Sequence, residues 1–536
     1  MNRKKIYLCM AMLIVMILAA CSEKDDSKTN DDSRLDNLND AEMPIVKETV
    51  ELNFFAGQHA STNEDWNDVM IFNEYKDRTN MDIQWQMVPH ASLEEKRNIS
   101  LSDTKSLPDA YHSANMPVDD IWKYGQQGVF IPLNDLIDEY APNMKKLLEE
   151  DSEFKRALTF PDGNIYSFPQ AADPDFLSIR IGAKPWINKK WLEALDMDIP
   201  ETTEEFYEYL KAAKEGDPRG DGEGAEIPYG GPNIDTLVSY LRGSFGVANM
   251  GSANANIDID PHTEELRFYP ISDNYKQLLE YMHRLYSEEL IEGNIFSIEG
   301  DQYHTNVADK KYGSTVWYNT FEEKAGEEFI GMPVLEGPEG YDLLTTFAPS
   351  VLNPGAFLIT SANEHPEATV RWVDYFYGED GKELFFMGLE GETFEFNDDG
   401  ELVYMDHILN SADGLSRDQE VKKYLTTPGG GYPSIADSKY FSGAEATEKS
   451  MAVAEKLEPN LVENAWSEFK YLEDELKDLD AFGNDIDKYV TEMRDKFIAG
   501  TEDFSNWDDY VQTLENMNLE GYMEIQKNAY ERYMEN

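Results

Sequence analysis

The sequence predicts an α/β protein of two lobes, followed by a helical C-terminal region. Three observations predict it. Apolar spacing near the amino end switches from a period of two to a helical period and back, as in a strand–helix–strand unit with a right-handed crossover. About 490 residues lie beyond the polar N-terminal stretch, more than one hydrophobic core supports. From Ala444 onward the pattern is almost wholly helical, with breaks expected at Pro459, Gly483 and Gly500.

The elements follow in order. Val50 to Phe54 alternates apolar and polar residues, as a strand does. Asp65 to Thr79 carries Val69, Phe72 and Tyr75 at helical spacing, and Met81 to Met87 alternates again. Pro108 to Tyr111 ends the next unit as a third strand. Ligands in open α/β sheets gather at the carboxyl ends of strands, which singles out the loops 57–64 and 111–119. A second region opens on a capping box, Thr202 with Glu205, before an apolar helix. Ser272 to Glu288 is an amphipathic helix through Leu278, Leu279, Met282 and Leu285. Gly313 to Tyr318 reads as a strand ending in aromatics. Ala356 to Thr360 reads as a buried strand before a helix through Trp372, Val373 and Phe376.

The first residues are a basic Met1 to Lys5, then an uncharged run from Ile6 to Ala20. That is a secretory signal peptide, because the run is about 15 residues, short of the roughly 20 that span a bilayer. Leu18, Ala19, Ala20 and Cys21 resemble the bacterial lipobox, which implies a diacylated Cys21 as the first mature residue and an outward-facing, membrane-anchored protein. Polar residues from Ser22 to about Pro44 predict a disordered tether. The only other cysteine, Cys9, lies in the leader, which excludes disulfides, cysteine-ligated zinc and a cysteine nucleophile in the mature chain. With 46 basic against 105 acidic residues, nucleic acid is excluded as a partner.

Several segments then resemble the family 1 extracellular solute-binding proteins of bacterial ABC importers, and within it the large lipoproteins of Gram-positive carbohydrate uptake. They are Glu74 to Asn80, Leu107 to Tyr111, Ile131 to Ile137, Pro161 to Pro169, Ile187 to Leu192, Trp507 to Val511 and Gln526 to Tyr533. The resemblance implies a type II periplasmic-binding-protein fold. Two lobes would close on a ligand in the cleft between them, and the closed form would dock on permease subunits as a monomer. Its implied division is a signal peptide over 1–20, a lipid-anchored tether over 21–46, an N-lobe over 47–178 and a C-lobe over 179–347. A return to the N-lobe over 348–400 and a helical region over 401–536, mainly C-lobe, complete it. Chain crossings are expected near Leu177–Ile181, near Thr345–Val351 and after the helix ending near Tyr377.

A sugar site needs aromatic platforms flanked by hydrogen-bonding side chains. Trp317, Tyr318 and Asn319 end a C-lobe strand and are the leading candidates. Trp66, Trp122, Tyr124, Asp109 and Trp186 lie near strand ends or the first crossing, and Tyr432 follows a glycine run, Gly429 to Gly431. Trp191, Trp372, Trp466 and Trp507 are expected in the core. Uronic-acid ligands would need local cations, for which Arg180, Lys184 and Arg242 are nearest in sequence. The segment Asp217 to Glu226 resembles a calcium loop, with Asp217, Asp221, Glu223 (through its carbonyl) and Glu226 as ligands. Arg219 and Ala225 stand where relatives carry oxygen ligands. No cofactor is therefore expected, with calcium as the open alternative and Arg219 as the charge that replaces the ion. The zincin, nucleophile-elbow and dinucleotide motifs are absent, so a binding protein is expected rather than an enzyme. The alternative is a surface glycoside hydrolase or polysaccharide lyase using two of the many carboxylates.

Overall fold

The structure, a computed structural model, describes residues 34–220, 222, 226–318, 328–427 and 430–535. Two mixed sheets organise it. The first has the order β14-β4-β11-β3-β1-β2 and is built from Val50–Gln58 (β1), Met81–Pro89 (β2), Ala110–His112 (β3), Ser167–Ala172 (β4), Val351–Ile359 (β11) and Ile435–Ala436 (β14). The second has the order β10-β5-β9-β6, from Lys184–Asn188 (β5), Ile227–Tyr229 (β6), Tyr312–Trp317 (β9) and Phe329–Gly331 (β10). Two hairpins, Ile257–Ile259 (β7) with Leu266–Phe268 (β8) and Phe394–Phe396 (β12) with Leu402–Tyr404 (β13), stand apart.

The expected strand–helix–strand unit is present. β1 runs parallel to β2 and β3, with the helix Met70–Thr79 between β1 and β2. Successive side chains of β1 serve opposite faces. Phe54 enters one core cluster with Tyr75, Phe357 and Trp372, while Phe55 enters another with Tyr111 and Phe130. The second lobe closes around Trp186, Tyr209, Tyr229 and Tyr312. Its helix Thr203–Glu215 starts on the predicted capping box: the Thr202 hydroxyl accepts from the Glu205 N–H at 3.1 Å, and the Glu205 carboxylate accepts from the Thr202 N–H at 3.3 Å.

Three segments join the lobes: 173–183 between β4 and β5, 344–350 into β11, and 437–447 between β14 and the helix Glu448–Leu457. The first contains Leu177–Ile181 and the second overlaps Thr345–Val351. The third corrects the expectation of a crossing after Tyr377 and of an N-lobe return ending at 400. Beyond Tyr377 the chain stays in the first lobe, because Tyr404, Ile408, Val421, Leu425 and Tyr432 pack into its core and β14 pairs with β4. The tether is also shorter than the expected 21–46. Ile45 and Val46 are buried, Leu38 bridges Val46, and Arg34 pairs with Glu367 at 2.7 Å. Cys21 and the rest of 1–33 lie outside the described residues. At the carboxyl end, 461–472 is not helical, and Gly483 passes from a wide helical turn into the helix Asn484–Ala499 without a break.

The lobes also touch away from the crossings. Lys470 of the second lobe donates to the Arg156 and Ala157 carbonyls, at 3.0 and 2.6 Å, where the first-lobe helix Ser152–Leu158 ends. Tyr533 donates to Glu153 at 3.1 Å, and Arg156 lies over the Tyr533 ring.

His112 ends β3 among the rings of Trp66, Trp85, Phe72 and Phe357. Burial pushes its imidazole down to about 3. The unfolded chain takes up that proton near pH 6.5 and the folded one resists it. The resulting stability is complete above pH 6.5 and is lost as pH falls toward 3. Between pH 7 and pH 5 His112 is expected to remove about 2 kcal/mol. Urea unfolding of the protein and of His112→Gln at both pH values measures this. Equal pH slopes for the two would refute it.

Candidate ligand-binding cleft

The carboxyl ends of β1, β3 and β4 meet in a polar floor. The loop after β3 is strained, with positive φ at Ser113 (50°) and Asn115 (46°). It presses on β1 so closely that a Cβ on Gly57 would lie 2.1 Å from the Ser113 carbonyl oxygen, which only glycine tolerates. Asn115 Oδ1 accepts from Asn353 Nδ2 at 3.2 Å. Gln170, on β4, accepts from the Gly431 N–H at 3.0 Å and hydrogen-bonds the Tyr432 phenol.

Beside this floor opens a cavity of about 440 Å³, within the range of small-molecule sites. Both lobes and the first and third crossings contribute to its wall, with Leu352 of β11 just beyond the second. Gln170, Tyr404, Arg417, Asp418 and Tyr432 come from the first lobe, and Tyr318 from the second. Ile179, Gly182, Leu352 and the stretch 442–445 come from the crossings or their ends.

Tyr318 is 49% exposed. It follows β9 directly, and its ring meets that of Trp317 at 5.1 Å. Trp317 is half-buried against Tyr303 and His304, so it backs Tyr318. Trp186 does not reach the cavity. It is wholly buried, and its indole N–H donates to the Trp317 carbonyl at 3.0 Å. That bond fixes the strand end from which Tyr318 projects.

The crossings are laced together here. The Ser178 hydroxyl donates to the Glu445 carbonyl at 2.6 Å, joining first to third. Arg180 donates to the Ala348 carbonyl at 3.1 Å and covers the Phe347 ring, joining first to second. Gly182 turns with φ 64° and ψ −118°, a region closed to other residues. Lys184 has no exposed surface and donates to the Ser178 and Gly182 carbonyls at 2.7 and 3.1 Å. Burial pushes its ammonium down to about 8. Lys184→Met would leave both carbonyls unpaired in a buried site, and a loss of about 2 kcal/mol is expected in urea unfolding. An unchanged midpoint would show that the ammonium does not hold this crossing.

The remaining sequence candidates fall elsewhere. Trp66 is buried in the first-lobe core, its indole N–H donating to the Thr62 hydroxyl at 3.1 Å. Trp122 stacks on Phe160, and Tyr124 packs at the edge of the same cluster. Asp109 stands at the amino end of β3, opposite the cleft, where it accepts from the Asn53 N–H at 2.7 Å and ties two strands together. Tyr432 lines the cavity but is almost wholly buried against Phe385 and Phe386. Asn319 lies outside the described residues, as do Asp221 and Glu223. In the loop resembling a calcium site, both oxygens of Asp217 already accept backbone N–H groups, from Gly220 at 2.9 Å and Gly222 at 3.0 Å. Glu226 follows at the foot of β6. Among the described residues no cluster of three metal-binding side chains occurs. Sequence reasoning missed Gln170, Arg417, Asp418 and Glu445. Ser113 and Asn115 lie in the loop 111–119 that the strand-end rule marks, and Gly57 in the loop 57–64.

Residues 60–383 match the family model for bacterial extracellular solute-binding proteins. The match covers more than half of the chain, which therefore belongs to that family. The chain is similar to the fructooligosaccharide ABC transporter substrate-binding protein FusA of Streptococcus pneumoniae serotype 4, with 28% identity over 97% of this chain and 96% of that protein. The structure of FusA in complex with kestose superposes with a TM-score of 0.73 at 27% identity, covering 90% of this chain and 99% of that one. The alginate-binding protein AlgQ2, solved without calcium ion, shares the fold, with a TM-score of 0.72 at 23% identity over 91% of this chain and 99% of its own.

Proposed function

We propose that the protein captures an oligosaccharide in the interlobe cavity and hands it to an ABC transporter permease. The cavity carries the reading. Its wall is drawn from both lobes and from the first and third crossings, so a ligand that fills it touches both lobes and two of the segments that lobe closure must bend. The likeness to FusA over nearly the whole chain supports a sugar as that ligand. Tyr318 offers an aromatic face, and Gln170, Ser442, Asp418 and Glu445 offer partners for hydroxyls. The protein acts as a monomer, held outside the cell by lipid on Cys21, and performs no catalysis.

Titration with fructooligosaccharides and other oligosaccharides tests this. A ligand that binds only the folded state raises the melting temperature. A rise with at least one sugar, no change in that sugar after long incubation, and a more compact particle in solution scattering are expected. Cleaved product would turn the reading toward the hydrolase or lyase. Calcium plays no part in this scheme, in which Arg219 supplies a positive charge to the loop. Excess chelator is expected to leave the melting temperature unchanged. A fall of several degrees would restore calcium as a structural ion.

A further inference from the structure

Glycans divide into uncharged chains and chains with carboxylates, and the charges around the cavity distinguish the two. A uronate is held by a cation whose donors are available to it, most effectively an arginine fork. Here the nearby cations are committed within the protein. Arg417, on the wall, sets Nε 3.0 Å from Asp418 Oδ1 and Nη2 at the same distance from that oxygen. Lys184 and Arg180 give their donors to backbone carbonyls of the crossings, Arg180 reaching the Pro174 carbonyl as well, at 3.0 Å. Arg97, behind the floor, donates to the carbonyls of Ala114 and Asn115 at 3.0 and 2.7 Å. Arg242 lies away from the wall, its charge acting on the Tyr275 phenol.

The acidic side chains of the wall outnumber its cation, since Asp418 takes up the charge of Arg417 and Glu445 adds a second carboxylate. Asp418 and Glu445 both line the cavity, so among the described residues its wall carries two carboxylates and one guanidinium. Carboxylates accept hydrogen bonds and donate none when ionised, which suits sugar hydroxyls and repels another carboxylate. The partly enclosed site screens that repulsion less than open water does.

We infer that the cavity selects uncharged oligosaccharides, and that Asp418 and Glu445 exclude uronate-containing ones. This rests on the proposed capture of an oligosaccharide and adds its charge class. The fold itself does not decide the matter, since it also serves an alginate-binding protein.

The experiment is calorimetric titration of the full chain with two panels at pH 7. One panel holds neutral oligomers of fructose, glucose, xylose, galactose and mannose. The other holds oligomers of galacturonate, glucuronate and mannuronate. The tightest ligand is expected among the neutral sugars, with every uronate oligomer at least a hundredfold weaker. The Asp418→Asn, Glu445→Gln double variant is expected to narrow that gap tenfold or more, and raising the salt from 0.05 to 0.5 M is expected to narrow it in the unaltered protein. A uronate as the tightest ligand would overturn the inference and leave oligosaccharide capture standing. So would a gap that neither salt nor the double variant changes. Binding of no sugar from either panel would overturn both readings together.

Discussion

Replacing Tyr318 by alanine is expected to weaken oligosaccharide binding about a hundredfold, roughly 2.7 kcal/mol, and to leave the fold intact. The side chain is half exposed, so little packing is lost on its removal. Its ring is the one aromatic face that the second lobe presents to the cavity among the described residues. On closure it would bury against the sugar, and few interface side chains cost more to truncate than a desolvated aromatic. Titration and thermal melting separate the two effects. The dissociation constant should rise and the melting temperature without ligand should stay within about a degree. Tyr318→Phe should keep most of the affinity if the ring face matters, and lose it if the hydroxyl does. A Tyr318→Ala protein that binds sugar normally would move the platform elsewhere in the cleft.

The second large effect concerns stability. Trp372 is 1% exposed. It lies at the centre of the first-lobe aromatic cluster, with ring centres 5.4 Å from Phe54, 5.5 Å from Tyr75 and 5.2 Å from Phe376. Its carbonyl also accepts from the Tyr75 hydroxyl at 2.9 Å. Trp372→Ala is expected to cost about 3–5 kcal/mol, from lost transfer energy and from a cavity that rigid neighbours cannot close. For a lobe of this size that corresponds to a fall of roughly 10 °C in its melting temperature. Calorimetry should show the loss, and Trp372→Phe should recover part of it. A cost below about 1 kcal/mol would mean that the cluster relaxes into the gap, contrary to the usual stiffness of packed interiors.

Much of the fold could be read from the sequence because its signals are local. The change of period through β1, the helix Met70–Thr79 and β2 spans some forty residues, and the capping box at Thr202 and Glu205 spans four. The third crossing has no such signal. Residues 387–443 form short pieces without sustained periodicity, and their place in the first lobe is decided by β14 pairing with β4. The cleft depends on the same long-range choice. Gly431 reaches Gln170 across 261 positions. The short helix Arg417–Val421, which carries Arg417 and Asp418, comes to the wall only because the chain returns there. The aromatic candidates show the limit from the other side. Trp66 and Trp122 follow strand ends and Trp186 lies close to the first crossing, as a platform would, yet neighbours such as Thr62, Phe160 and the Trp317 carbonyl enclose them. Nearness to a strand end does not say which way a ring faces. Asp109 makes the point for a polar residue, at the correct strand but at its amino end.

The place of β11 between β3 and β4 bears on how the protein is made. This interior strand of the first sheet is encoded after most of the second lobe. At about 5–20 residues per second a ribosome reaches it roughly 10–35 s after finishing β4. Until then the amino-terminal half has a gap in the middle of its sheet, with the edges of β3 and β4 unpaired. A nascent chain of this design stays loose through most of its synthesis. A protein that must be threaded through a narrow channel before folding would gain from that delay.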